Sequence, residues 1–213
     1  MRVAFMRRAG GIARGALFGG LIASFCLPVW GEVRCWDPPT GIHVCDSYLP
    51  GGLTGVRAVQ RMDQWCWAAS ISMVFAYYGH PVSQERIVAE AYGRIVDMPA
   101  QPWTMLQSLN REWEDDRGRT FRCDSSSGMT DVVSAARDLA DEKPLIIGTH
   151  GHAVVLTGLE YWAPWVRGPY GPTTGNVAIN LAQVQDPWPG RGQRNLSASE
   201  WRDINFAVQI RIR

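Results

Sequence analysis

The order of patterns along the 213-residue chain predicts an α+β domain with an antiparallel sheet. Up to Pro144, apolar residues recur at helical spacing between capping residues and glycines. After Pro144, short β-branched runs separated by glycines take over, and Phe206, Val208, Ile210 and Ile212 alternate with Ala207, Gln209 and Arg211.

In chain order, Asp63 is the expected N-cap of a helix running through Cys66 to Tyr78 and stopped by Gly79. Ser83 caps a second helix, Gln84 to Tyr92, with Gly93 as its stop. A third is expected over Trp103 to Trp113, and a fourth from Thr130 to about Asp141, ended by Lys143-Pro144. The polar stretch from Glu114 to Met129 reads as loop, and so does the proline- and glycine-rich stretch from Tyr161 to Thr174. Strands are expected at 145–147, 153–157, 177–184 and 206–212.

Residues 1–31 read as a Sec-type signal peptide: Arg2, Arg7, Arg8 and Arg14 with no acid, an apolar run from Ala16, then Val29 and Gly31 before the expected cut. One domain, 32–213, follows in a secreted or periplasmic chain. Without those four arginines 17 basic residues face 20 acidic ones, a net of −3, which argues against nucleic-acid binding. No later run is long and apolar enough to span a bilayer, so no stable membrane association is expected after cleavage.

Outside the cytoplasm, structural cysteines tend to pair. Four remain after cleavage: Cys35, Cys45, Cys66 and Cys123. The turn 37–41 can bring Cys35 to Cys45, which is the first choice of disulfide; a Cys66–Cys123 bridge is the alternative and would remove a reactive thiol.

Cys66 falls at the third position of the first expected helix, where unpaired N–H groups and the helix dipole favour thiolate. An inert buried cysteine is the plain alternative. His152 opens the run HAVVLTG and can present its ring at the sheet edge as a general base, with His150 as a rival on the same strand face. Asp186, in VQDPWPG, can accept the base's other N–H, and Trp188 can shield that bond; an ordinary Asp-Pro turn is the competing reading, and Asn180 is a weaker candidate. Gln60, six residues before Cys66, can reach back to help hold an oxyanion; Gln64 is its rival.

Together these residues resemble the papain-like cysteine peptidases, in particular their small bacterial secreted members. Gln60 followed by QWCWAAS is similar to their nucleophile segment, GHAVVLTG to their histidine strand, and Asp186-Pro187-Trp188 to their Asn-x-Trp element with aspartate for asparagine. The resemblance, covering about 56–188, implies a helical N-terminal lobe packed on a C-terminal antiparallel sheet, with the active site in the cleft between them. It implies Cys66 as nucleophile, His152 as general base and acid, Asp186 as the orienting carboxylate and Gln60 as oxyanion donor. The substrate would be a peptide or protein and the reaction acyl transfer through a thioester, with no cofactor and no metal.

Three rivals stand beside it: a cell-wall amidopeptidase or acyl transferase using the same thiol, a non-catalytic binding module of the same fold, and a metal site from His150, His152 and a cysteine. The last lacks the three or four ligands at metal spacing that zinc takes. The ten tryptophans can line an apolar subsite or fill the core.

Overall fold

The computed structural model describes residues 32–39, 42–128, 131–168, 171–174 and 177–213. The expected signal peptide and the Thr130 cap lie outside the described residues.

A short hairpin, β1 (Arg34–Trp36) and β2 (Ile42–Tyr48), precedes three helices, α1 (Cys66–Tyr77), α2 (Gln84–Tyr92) and α3 (Pro102–Leu109). The hairpin β3 (Arg111–Glu114) and β4 (Thr120–Ser127) follows, then α4 (Val132–Ala140). The chain continues through β5 (Leu145–Thr149), β6 (His152–Gly168), β7 (Gly171–Thr174), β8 (Ala178–Asp186), β9 (Gly192–Asn195), α5 (Ala198–Arg202) and β10 (Phe206–Ile212). Along one path the sheet runs β1-β2-β6-β5-β10-β4-β3, with β8 on the other side of β6 and β9 beyond β8. Its pairings are antiparallel throughout the described residues, as an α+β domain requires.

The sequence of α1, CWAASISMVFAY, is apolar nearly all round, and such a helix must be buried. Trp67, Ala68, Ala69, Ile71, Met73, Val74 and Phe75 are all within 1% of full burial, and the helix packs on β6 and α2. α4 covers β2 and β6 at another point of the sheet. The indoles of Trp65 and Trp67, both core residues, donate to the carbonyls of Val96 and Met98 and so pin the segment after α2 beside the head of α1.

Four local expectations are corrected. α1 starts at Cys66 with Trp65 as N-cap and no side-chain cap, so Asp63 does not cap it. The third helix stops at Leu109 because Trp113 turns inward on β3, its indole donating to the Leu109 carbonyl. The supposed loop 114–129 contains β4, where Phe121 and Cys123 are buried and alternate with exposed neighbours. Within the supposed loop 161–174, residues 161–168 continue β6 and 171–174 form β7; Pro164 falls where pairing with β2 ends at Ile42. Asp131 caps α4, accepting from the Ser134 N–H. Among the described residues no helix is long and apolar enough to cross a membrane.

The Cys35–Cys45 disulfide forms as expected, between directly opposed residues of β1 and β2. Cys66 and Cys123 are therefore free thiols, and burial pushes the Cys123 thiol up to about 12.

Candidate active site

Cys66 is the first residue of α1, two places nearer the terminus than its sequence pattern suggested. With no side-chain cap, the helix leaves its first N–H groups available, and that of Trp67 favours the thiolate form of Cys66. The Ala153 N–H, on β6 next to His152, does the same.

His152 reaches the sulfur because of the hairpin that precedes it. Thr149 pairs with His152, and the two residues between them, His150 and Gly151, both have positive φ, at 49° and 73°. Such a turn matches the twist of the flanking strands and makes His152 the first residue of β6. His150 consequently lies in the turn and not on the strand face; its N–H and ring address Asp203, with the N–H at 2.9 Å from the carboxylate. It is a half-exposed turn residue, which removes it as a rival to His152 and as part of a metal set with it.

The His152 Nε2 lies 2.7 Å from Asp186 Oδ1, and its other side interacts with Cys66. Asp186 is the last residue of β8 and its side chain is fully buried. Its Oδ1 also accepts the Trp188 N–H at 2.9 Å, and its Oδ2 accepts from Arg194 Nε at 2.8 Å. The Trp188 ring stands edge-on to the imidazole with centroids 6.0 Å apart, so one wall of the His–Asp bond is apolar. Asn180, on the exposed part of β8, donates to Glu160 instead and stays away from the imidazole.

The charges follow from these contacts. Burial, the largest single influence on each group, opposes ionisation of all three side chains, yet the partners outweigh it. The Cys66 thiol is lowered by the adjacent imidazole and by the Ala153 and Trp67 N–H groups. His152 is raised to about 9 by the hydrogen bonds to Asp186 and Cys66. Asp186 is held well below the usual carboxylate range by His152, the Trp188 N–H and Arg194. The arrangement favours a thiolate–imidazolium pair.

Gln60 is buried, and its N–H donates at 2.9 Å to the Pro187 carbonyl, which ties the turn before α1 to the Asp186-Pro187-Trp188 turn. Its side-chain nitrogen donates to the carbonyls of Met62 (3.0 Å) and Asp63 (2.8 Å), while its oxygen is buried without a partner among the described residues. Gln64 lines the cavity beside Cys66, and its backbone N–H donates to Asp97.

Two cavities meet at the sulfur, and both include Cys66, Gly151 and His152. One, of about 250 Å³, is walled largely by Trp67, Pro99, Ala100, Pro102, Ala153 and Phe206. The other, of about 630 Å³, is polar, with Asp63, Gln64, His150 and Arg191 around Trp188. Among the described residues, the ligand-type side chains that converge are Cys35, His43 and Cys45, and there the two sulfurs are bonded to each other.

Sequence reasoning missed Arg194, which holds the second oxygen of Asp186, and Glu200, which holds Arg194 at 2.6 and 3.2 Å. Their available signal was a pair of arginines in the turn and strand after Asp186-Pro187-Trp188.

No curated protein matches the chain. A family model does, over residues 53–204, which takes in Gln60, Cys66, His152, Asp186 and Arg194 and well over half of the sequence. The chain therefore belongs to the Peptidase_C39 like family, a cysteine peptidase family of papain-like fold.

Proposed function

We propose that this chain is an exported cysteine peptidase that hydrolyses peptide bonds with Cys66, His152 and Asp186 as its catalytic line and Gln60 as oxyanion donor. The observation that carries the reading is the continuous contact from the Cys66 thiol through His152 to the buried carboxylate of Asp186.

In this reading the Cys66 thiolate attacks the scissile carbonyl, and the substrate chain runs across the sulfur from one cavity to the other. The oxyanion is met by the Cys66 N–H, at the first helical position, and by the Gln60 amide, which exchanges its longer bond, to Met62, for the new acceptor. Imidazolium at His152 gives its proton to the leaving amine, leaving a thioester on Cys66. His152, now neutral, takes a proton from water as it attacks the thioester, and collapse releases the acid and restores the thiolate. Asp186 keeps the ring oriented and favours its charged form. The disulfide Cys35–Cys45 and the leader-like residues 1–31 support action outside the cytoplasm.

Profiling the mature protein against a library of quenched fluorescent peptides, with Cys66→Ser as control, tests this. Cleavage by the parent and its loss in the variant is the expected result. Transfer of the acyl group to an added amine without net hydrolysis, or cleavage of cell-wall peptides alone, would shift the assignment to the transferase or amidopeptidase. No turnover and no acyl-enzyme would favour a binding module.

A further inference from the structure

We propose that Arg194 is a positioning residue of this active site, gripping Oδ2 of Asp186 so that Oδ1 stays aimed at His152, and that Glu200 in turn sets the direction of Arg194. The inference rests on the catalytic reading of Cys66, His152 and Asp186 given above.

Sheet register puts the arginine there. Asp186 on β8 pairs with Gly192 on β9, and Val184 pairs with Arg194, so Arg194 is a same-face diagonal neighbour of Asp186. Gly192, directly opposite Asp186, takes φ of 59°, a conformation that favours glycine. Arg194 Nε then reaches Oδ2 at 2.8 Å, while its two terminal nitrogens grip both oxygens of Glu200. A planar guanidinium suits this task because its donors keep a fixed fork geometry. Glu200 is itself fixed: it closes a capping box with Ser197 at the head of α5, and its carbonyl accepts the Thr149 hydroxyl at the foot of the hairpin that carries His152. The chain of contacts therefore leaves His152 through Asp186, Arg194 and Glu200 and returns to the same hairpin.

A carboxylate with one oxygen on an imidazole and the other free can rotate. Here both oxygens are engaged. Arg191 also approaches Oδ2, at 3.5 Å, but its side chain is about half exposed and the contact is long, so it is the weaker of the two. With the thiolate–imidazolium pair formed, His152, Arg191 and Arg194 balance Cys66, Asp186 and Glu200, and Asp63 and His150 line the adjoining cavity. Removing one cation from this set must raise the pKa of the titrating groups near it; removing one anion must lower them.

The test is the pH dependence of iodoacetamide alkylation of Cys66 in the folded mature protein, assigned by mass spectrometry, beside kcat and KM on a cleaved peptide. In Arg194→Gln the midpoint for thiolate formation should rise by about half to one pH unit. Its kcat should fall about tenfold with KM little changed. Arg194→Lys should keep the midpoint, because the charge remains, and still lose kcat, because the fork is gone. Glu200→Gln, which can preserve the capping box, should move the midpoint down. A parent midpoint retained in folded Arg194→Gln overturns the inference; should that variant not fold, an unmoved midpoint in Glu200→Gln overturns it equally. Failure of Cys66 to react in the parent is a different result, which overturns the catalytic reading and this inference with it.

Discussion

Between the lowered pKa of the Cys66 thiol and a pH of about 9, where His152 gives up its proton, the charge-separated pair is the resident form of the site. Below that window the thiolate takes a proton and the nucleophile is lost. Above it the imidazolium is gone and the leaving amine has no acid. The pH profile of kcat/KM should therefore be bell-shaped with its alkaline limb near 9. A limb near the ordinary histidine value, in the same assay, would mean that the Asp186 and Cys66 contacts do not act on His152. The oxyanion donor is tested by a pair of variants. Gln60→Ala should lower kcat by about 10²–10³, and Gln64→Ala should stay within a few-fold; the reverse pattern would give the role to Gln64, which lines the cavity. Cys66, His152 and Asp186 could be singled out in the sequence only jointly, because the QWCWAAS, GHAVVLTG and Asp186-Pro187-Trp188 segments each have a plain local reading and gain weight from their order; the structure brings the three side chains together. Arg194 could not be singled out, because a surface-type cation two residues into a polar strand has no mark until register places it beside a buried acid.

At the scale of elements, the helices that cover the sheet were legible where an apolar stripe ended on a glycine or a cap, as α2 does between Ser83 and Gly93. The β3–β4 hairpin was hidden by its polarity: two of the eight residues of β4, Phe121 and Cys123, carry its buried side, too few to stand out from a loop. In the sequence β6 reads only as 153–157, because Gly158 ends the β-branched run and the prolines and glycines of 161–174 read as loop, although a strand tolerates a proline where pairing ends. Within β6, Gly158 is a packing requirement. A β-carbon there would come within 2.3 Å of the Tyr48 ring, and the register shifts between Leu156 and Gly158. Gly158→Ala should destabilise the fold by about 1–3 kcal/mol in urea unfolding. A variant as stable as the parent would contradict the close approach of Gly158 to the Tyr48 ring.

Over the whole molecule, the site is assembled from segments far apart in sequence: the turn from Gln60 to Cys66, the hairpin at 149–152, the β8–β9 connection and the head of α5. The disulfide lies elsewhere, stapling β1 to β2, which meets β6 at Gly158 and beyond. Replacing both Cys35 and Cys45 by serine should therefore cost about 2–3 kcal/mol of stability while leaving the reaction rate of Cys66 unchanged. A large loss of thiol reactivity in that variant would mean that the hairpin supports the site directly. Cys123, buried on β4 with its thiol pushed up to about 12 by that burial, should remain unmodified in the folded protein.

In this site one thiol is made reactive by one imidazole, and labelling of the folded, reduced protein with a peptidyl epoxide reads that coupling out. The expected result is one label per chain, on Cys66, formed at least about a hundredfold more slowly in His152→Ala. Labelling of Cys66 at the parent rate in that variant, or no labelling of the parent at all, would contradict it.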